Sequence, residues 1–149
     1  MMRRTAAAAL LVLLAAGCGG GSAVSDLGAV VKGAKGATVQ VEVRPGQRFS
    51  LAVADNSSVG DQWDLTAVPD PKVASFISEE HEGEGDGVGA GGTTYFVFNG
   101  KKAGTTEIRL RDCWRCGQAT TPPDERSRQQ SGEAIFAVTV KPAPPTMVP

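Results

Sequence analysis

The residues with the most obvious chemistry are two cysteines separated by two positions, Cys113 and Cys116. Such a pair can exchange disulfides, help to hold a metal or form a structural disulfide. Redox enzymes set the pair at a helix N-terminus within a βαβ unit, which the surrounding sequence does not predict. Zinc would need a second Cys/His pair, and His81 is the only histidine. In an oxidising compartment the pair predicts a disulfide that stiffens the loop carrying Trp114 and Arg115.

A second group with possible chemistry is the acidic stretch at residues 79–86, EEHEGEGD. Its carboxylates suit Ca²⁺, but they lack the alternating ligand register of a calcium loop, so the stretch is predicted to be a solvated loop. The chain has no second histidine and no nucleophile placed beside a base, which leaves hydrolytic catalysis without support. We therefore predict no enzymatic activity, no metal and no cofactor.

The N-terminus predicts the compartment. A basic start, MMRR, is followed by an apolar run at residues 6–16 that is too short to span a bilayer, which is typical of a secretory signal peptide. Residues 14–18, LAAGC, resemble the lipobox of bacterial lipoproteins. The resemblance implies that residues 1–17 are removed and that Cys18 is acylated, anchoring the exported protein on the extracytoplasmic face of a membrane. The alternative is an ordinary signal peptide with a chance cysteine.

Composition separates the rest of the chain into a tether, a domain and a tail. Residues 18–36 are rich in Gly, Ala and Ser and predict a flexible tether, with a short edge strand at 29–31 as the weaker alternative. Residues 142–149 form a Pro-rich tail. The net charge is −1, with 15 basic and 16 acidic residues. The absence of clustered Lys/Arg in the sequence argues against a nucleic-acid or anionic-membrane surface.

Residues 37–141 read as one all-β domain. Apolar residues alternate with polar ones in short runs separated by turn residues, which is typical of half-buried strands. No helix is predicted, and residues 79–92 and 117–132 are predicted to be long loops. About seven strands of this kind predict an antiparallel sandwich of immunoglobulin-like type. The predicted strands lie at residues 38–43, 48–54, 63–67, 73–77, 94–98, 106–110 and 134–140.

Three segments between these strands carry patterns that resemble the chagasin family of cysteine-protease inhibitors. They are NSSVGDQW at residues 56–63, GAGG at residues 89–92 and the loop around Trp114. Members of that family carry Asn-Pro-Thr-Thr-Gly-Tyr-x-Trp, Gly-x-Gly-Gly and Arg-Pro-Trp loops on an immunoglobulin-like sandwich. The first pattern is matched at Asn56, Gly60 and Trp63 and departs from the family at the residues between them. The third keeps only its tryptophan.

The resemblance implies a monomeric inhibitor of papain-like cysteine proteases that inserts three loops into the active-site cleft. The residues assigned to that contact are Asn56, Ser57, Ser58, Val59, Gly60, Asp61, Gly89, Ala90, Gly91, Gly92, Trp114 and Arg115. Glycines fit this role because they allow close backbone approach and positive φ.

Several alternatives stay open from the sequence. The loops could recognise another secreted or envelope protein, a possibility favoured by the departures at Ser57 and Asp61, or Cys113 and Cys116 could serve thiol–disulfide exchange. Trp63 continues an apolar strand face and is predicted to be core, whereas Trp114 suits either the core or an exposed binding anchor. Residues 89–92 could be no more than a flexible linker.

Overall fold

Alternating apolar side chains fold the chain into two stacked sheets, as described by a computed structural model for residues 26–85 and 89–144. One sheet has the strand order β1-β3-β6-β5 and the other β2-β8-β7-β4. The predicted all-β sandwich is confirmed, and the described residues form eight strands and one short helix. The elements are β1 Ala29–Lys32, β2 Thr38–Val43, β3 Arg48–Asp55, β4 Trp63–Ala67, β5 Ala74–Gly83, β6 Gly92–Gly100, β7 Gly104–Asp112, α1 Glu125–Gln130 and β8 Gly132–Val140.

The core lies between the two sheets and is built mainly from the inward faces of β3, β6, β7 and β8. Phe49 and Phe98 stack with ring centroids 5.5 Å apart, and both side chains are fully buried. Ile108 and Phe136 face them from the other sheet and are equally buried. Each such side chain contributes roughly 1.5–3 kcal/mol when it leaves water, so the core holds the loops on a rigid support.

Most strand pairs are antiparallel, as predicted, but two pairs are parallel, which the sequence did not predict. β1 runs parallel to β3, with Ala29 opposite Phe49, and β2 runs parallel to β8, with Thr38 opposite Ile135. The chain reaches the second sheet through Gly33, where a Cβ would lie 2.2 Å from the Phe136 ring. Only a residue without a side chain can make this crossing.

The last part of the predicted tether belongs to the sandwich. Residues 29–32 form β1, Val31 packs against the core, and the Gly33 N–H donates to the Ala52 carbonyl at 2.9 Å. The weaker alternative, a short edge strand at residues 29–31, is therefore confirmed. Its sequence signal was weak because the other residues of β1 are exposed and glycines flank the strand. Cys18 and the tether up to residue 25 lie outside the described residues, as do the signal peptide and residues 145–149.

Two predicted loops also contain regular structure. β5 continues through Glu79 to Gly83, paired with β6, because an edge strand can expose polar side chains on much of its surface. Helix α1 occupies part of the predicted 117–132 loop, and the Asp124 carboxylate caps it by accepting from the Ser127 N–H at 2.8 Å. Within the described part of the chain, no helix is long and apolar enough to cross a membrane.

Strand register determines which loops lie together. Asp55 at the end of β3 is opposite Gly92 at the start of β6, and Trp63 at the start of β4 is opposite Asp112 at the end of β7. The loops at residues 56–62, at residues 84–85 with 89–91, and at residues 113–117 therefore share one end of the sandwich. We call them the first, second and third loops, and their end the loop end.

Candidate functional site

The first loop is a compact turn whose backbone is satisfied internally. The carbonyl of Asn56 accepts from the N–H groups of Val59 and Asp61, at 3.1 and 3.2 Å. The Asn56 side chain accepts from the Ser58 N–H at 3.1 Å, and the Gly60 N–H donates to the Ser57 carbonyl at 3.2 Å. Four successive N–H groups are thus used within the loop, which holds it in one shape.

The second loop is joined to the first through the same asparagine. The Asn56 amide nitrogen donates to the Gly89 carbonyl at 3.2 Å. A Cβ on Gly91 would lie 3.6 Å from the Asn56 side chain, and the Glu84 N–H donates to the Gly91 carbonyl at 2.8 Å. Gly89 has φ +85, a conformation that suits glycine. The structure therefore brings together the first and second predicted loops, and the Asn56 side chain links them.

The third loop supports the first from the other side. The Arg115 N–H donates to the Gly60 carbonyl at 2.8 Å, and its guanidinium Nε donates to the Val59 carbonyl at 3.2 Å. Cys113 and Cys116 are joined in a disulfide that closes this loop, and both are 6% exposed. Arg115 between them has φ +52, the left-handed conformation that aims its side chain at the first loop.

Trp114 lies beneath the loops and is not an exposed anchor. Only 8% of it is exposed, and its backbone N–H donates to the Ser131 hydroxyl at 2.9 Å. The guanidinium carbons of Arg115 and Arg126 lie 4.4 and 5.5 Å from its ring centroid, within cation–π range. The indole Nε1 also faces Gly60, where a Cβ would be 3.1 Å away. Trp114 therefore supports the first loop, and the anchor interpretation is corrected.

A charged cluster underlies the first loop. Lys35 donates to the fully buried Asp112 carboxylate at 2.9 Å and lies 3.9 Å from a carboxylate oxygen of Asp61. Asp61 also accepts from the Asn56 N–H at 2.9 Å, and Asp112 from the Gln62 N–H at 2.7 Å. Burial raises the pKa of Asp61, as does neighbouring Asp112, while the Asn56 hydrogen bond and Lys35 lower it. The Asp61 carboxylate therefore stabilises the first loop through contacts within the domain, to the Asn56 N–H and to Lys35.

A family model described as the chagasin family peptidase inhibitor I42 matches residues 42–128, more than half of the chain. The match spans all three loops and the strands that carry them, so the order of patterns read from the sequence and the geometry of the loop end agree with it. The chain belongs to the chagasin family of peptidase inhibitors. It is accordingly a cysteine-protease inhibitor by family and not an enzyme.

Two solved structures have the same fold as this chain. The cysteine protease inhibitor EhICP2 from Entamoeba histolytica shares 16% identity and a TM-score of 0.51, covering 76% of this chain and 96% of its own. Amebosin shares 16% identity and a TM-score of 0.50, covering 76% of this chain and 98% of its own. PbICP-C, solved in complex with falcipain-2, shares 15% identity and a TM-score of 0.47, covering 78% and 100% of the two chains. No curated protein matches the chain in sequence.

The chagasin-type residues assigned from the sequence fall into two groups in the structure. Ser57, Ser58, Val59, Gly89, Ala90 and Arg115 are exposed at the loop end, whereas Asn56, Gly60, Asp61, Gly91, Gly92 and Trp114 are wholly or partly buried. Trp63 is core, as predicted, with 6% exposure and its indole N–H donating to the Ala54 carbonyl at 3.0 Å. The buried group shapes the loops, and the exposed group forms the surface available to a partner.

Sequence reasoning missed several residues that build this inhibitor surface. Lys35 stands in a Gly/Ala-rich stretch with no local signal of a tertiary ion pair, and Arg126 belongs to a helix that was not predicted. The helix did leave a signal, because Asp124 follows two prolines and precedes an acidic first turn. Within residues 26–85 and 89–144, no three His, Cys, Asp or Glu side chains are grouped to hold a metal.

Proposed function

We propose that the chain inhibits papain-like cysteine proteases by placing its first loop in the active-site cleft, with the second and third loops on either side. The observation that carries this proposal is the hydrogen bonding that unites the three loops. Asn56 joins the first loop to Gly89, and Arg115 joins it to the third loop at Val59 and Gly60. A preformed edge of this kind loses little conformational freedom on binding, which favours tight association.

The shape of the first loop explains how it could occupy a protease without being cut. A protease cleaves a segment that it can bind in an extended conformation. Extending residues 56–61 would break the internal bonds made by the N–H groups of Ser58, Val59, Gly60 and Asp61. At about 1 kcal/mol for each bond, the turn resists extension by several kcal/mol. The loop would therefore block the cleft as a folded turn.

Val59 gives the first loop an apolar tip. It is 47% exposed although both its N–H and its carbonyl are bonded within the loop end. Its side chain can therefore be changed without altering the hydrogen bonds that shape the turn. We propose that it enters an apolar subsite of the protease. Ser57 and Ser58 beside it are exposed and offer hydroxyl groups to the rim of the cleft.

Two matched valine variants test this proposal. Val59→Asp places a charge at the loop tip, and Val68→Asp makes the same change at a valine that is 69% exposed and follows β4 at the opposite end. Inhibition of papain would be followed with a small fluorogenic peptide. Val59→Asp should weaken inhibition by at least about a hundredfold, the order expected when an unpaired charge is desolvated, and Val68→Asp should leave it unchanged.

The outcome separates the inhibitor from a binding module directed at another protein. If the folded wild-type domain does not inhibit papain or related proteases at micromolar concentration, the proposal of cleft insertion in this enzyme class fails. The same loop end would then be tested for partners among exported proteins. If both valine variants inhibit as well as wild type, the protease contact lies away from the tip.

We also propose that the protein is exported and acylated at Cys18, on the basis of the lipobox-like LAAGC at residues 14–18. Mass spectrometry of the mature N-terminus and incorporation of labelled fatty acid in a bacterial host would test this. The wild-type chain should begin at acylated Cys18 and fractionate with membranes, and Cys18→Ala should lose the label. A mature chain that begins elsewhere and carries no acyl group would contradict the lipoprotein proposal.

A further inference from the structure

The end of the sandwich opposite the three loops carries an uneven distribution of charge. We call it the base: the segment at residues 26–28, the turns at residues 44–47, 68–73 and 101–103, and the strand residues next to them. Cationic residues outnumber acidic ones there, although the chain as a whole has a net charge of −1. The cations are Arg44, Arg48, Lys72, Lys101, Lys102 and Lys141, and the acids are Asp26, Glu42 and Asp70.

Backbone hydrogen bonds hold the turns of the base side by side. The Lys102 N–H donates to the Lys72 carbonyl at 3.1 Å, and the Lys101 N–H donates to the Val73 carbonyl at 2.8 Å. The Gly46 N–H donates to the Gly100 carbonyl at 3.0 Å, which brings the turn of Arg44 beside them. Lys72 thus becomes a neighbour of Lys101 and Lys102, although about thirty residues separate them in the sequence. The basic cluster forms only in the folded protein and cannot be recognised from the sequence.

Four of the six cations are available to bind an external anion. Arg44, Lys72, Lys101 and Lys102 are all exposed, and among the described residues no carboxylate pairs with any of them. Lys141 differs, because it pairs with Glu42 at 3.0 Å. Acidic side chains concentrate towards the other end, around residues 79–84 and beside the first and third loops. The domain is therefore polarised, with its positive pole at the base.

Apolar side chains lie beside the basic cluster. Val68 leads into one of the turns and is 69% exposed, while Phe76 and Ile77 near the start of β5 are 44% and 41% exposed. Phe76 also contacts Phe98 of the core, with ring centroids 5.5 Å apart, so its position is fixed. Lysines next to exposed apolar and aromatic residues are the combination that binds the interface of an anionic bilayer.

The chain enters the domain at this same end. Arg48 donates to the Asp26 carbonyl at 3.2 Å, and the Ser50 hydroxyl donates to the Leu27 carbonyl at 2.6 Å, which hold the start of the described chain against the base. Cys18 is eight residues before Asp26, a reach of at most about 29 Å for a fully extended chain. An anchor at Cys18 would therefore keep the base close to the lipid surface.

From these observations we infer that the base is a docking surface for anionic phospholipid headgroups, which orients the three loops away from the membrane. The charge complementarity and the entry point of the chain select a bilayer as the partner. The inference does not depend on protease inhibition, since no residue of the three loops takes part. It replaces the sequence-based expectation that no anionic-membrane surface is present.

Lysine footprinting on vesicles tests the inference with the chain's own residues. The chain from Cys18 onward has one free thiol, because Cys113 and Cys116 are joined, so it can be coupled to a maleimide lipid. Lysine acetylation rates would be compared on vesicles with equal parts phosphatidylglycerol and phosphatidylcholine and on phosphatidylcholine alone. Lys72 and Lys102 should react at least about fivefold more slowly on the anionic vesicles, the factor that corresponds to about 1 kcal/mol.

Internal controls accompany this measurement. Lys32 on β1 lies outside the base and should react at the same rate on both kinds of vesicle. At an ionic strength of about 1 M, where the Debye length falls to about 3 Å, protection at the base should disappear. Equal rates for Lys102 on both vesicles would overturn the inference, as would equal protection of Lys32.

Two matched double variants then locate the charges, with Lys102 as the reporter in both. Lys72→Gln with Lys101→Gln removes two cations from the base and should weaken docking by roughly 25-fold, or about fivefold for each charge, so that protection of Lys102 is lost. Arg126→Gln with Arg128→Gln makes the same change in net charge on α1 and should leave the protection intact. Equal loss in both doubles would show attraction by overall charge and would overturn the assignment to the base.

Discussion

Replacing Gly60 by alanine is the most direct test of how the loop end is built. Gly60 has φ +119, which L residues rarely adopt, and a new Cβ would lie 2.4 Å from Arg115 Cγ and 3.1 Å from Trp114 Nε1. The strained backbone costs about 1–3 kcal/mol. Moving the Arg115 side chain away would also break its bond to the Val59 carbonyl, which costs about 1 kcal/mol more.

The expected total of about 2–4 kcal/mol is divided between stability and affinity. If the loop keeps its shape, the free energy of unfolding falls by that amount. If the loop relaxes, inhibition weakens instead, by up to roughly 30- to 900-fold. Urea denaturation and the inhibition constant for papain would be measured on the same Gly60→Ala preparation. The sum of the two losses is the predicted quantity.

Gly46→Ala provides the matched control. Gly46 has φ +79, yet nothing lies within 4 Å of its missing Cβ, and it belongs to the base. This variant should lose about 1 kcal/mol of stability or somewhat more and inhibit papain as wild type does. If Gly60→Ala keeps both full stability and full inhibition, the argument that Arg115 and Gly60 fix the first loop is refuted.

Three further predictions concern the supports of the inhibitor surface. Asn56→Ala removes the turn bond to Ser58 and the link to the second loop, so the inhibition constant should rise by roughly 10- to 30-fold, as expected for two neutral hydrogen bonds. Lys35→Met leaves Asp112 without its cation and raises the pKa of Asp61 further. The free energy of unfolding, measured in urea at pH 7, should therefore fall by about 1–3 kcal/mol. Replacing both Cys113 and Cys116 by serine should lower stability by about 2 kcal/mol for so small a ring and weaken inhibition, measured in both cases without thiol reductant.

Each of these predictions has a discriminating comparison. Asn56→Asp keeps the side-chain acceptor but loses the donor to the second loop, so it should fall between wild type and Asn56→Ala. Burial raises the pKa of Asp61 above its unfolded value, so its contribution to stability falls as pH rises from about 4 through the folded pKa. Lys35→Met should therefore lose less stability at pH 4.5 than at pH 7, and an equal loss at both would contradict the linkage. The serine double variant should behave identically with and without dithiothreitol, whereas wild type in dithiothreitol should approach it.

The alternation of apolar residues was sufficient to predict the sandwich and most of its strands. Apolar side chains alternate in β3, at Phe49, Leu51 and Val53, and in β6, at Phe96 and Phe98. Because one face of each strand must be buried, the pairing of these strands has little freedom of register. Strands without this signal were predicted only as a weaker alternative, as β1 was, or only in part, as β5 was. β1 gains its stability from pairing with β3, and the second half of β5 is a polar edge, so neither displays a periodic apolar pattern.

The contacts within the candidate site were less accessible from sequence, because they join residues that are distant along the chain. The pairs of Lys35 with Asp112 and of Asn56 with Gly89 depend on loop geometry that local propensity does not encode. Trp114 shows the same limit, since its sequence context suits an exposed anchor but two arginines cover its ring. Sequence identified the loops, and tertiary structure determined which of their residues face outwards.

The parallel pairing of β2 with β8 affects how the chain folds during its synthesis. Among the described strands β8 is synthesised last, yet it lies inside its sheet, between β2 and β7. Contacts between segments so far apart in sequence make folding slow, typically milliseconds to seconds for all-β domains. An emerging chain cannot complete this sheet until β8 has been made. A chain that ends before residue 132 would leave β2 and β7 without their shared partner, so we expect no partially active inhibitor from truncated synthesis.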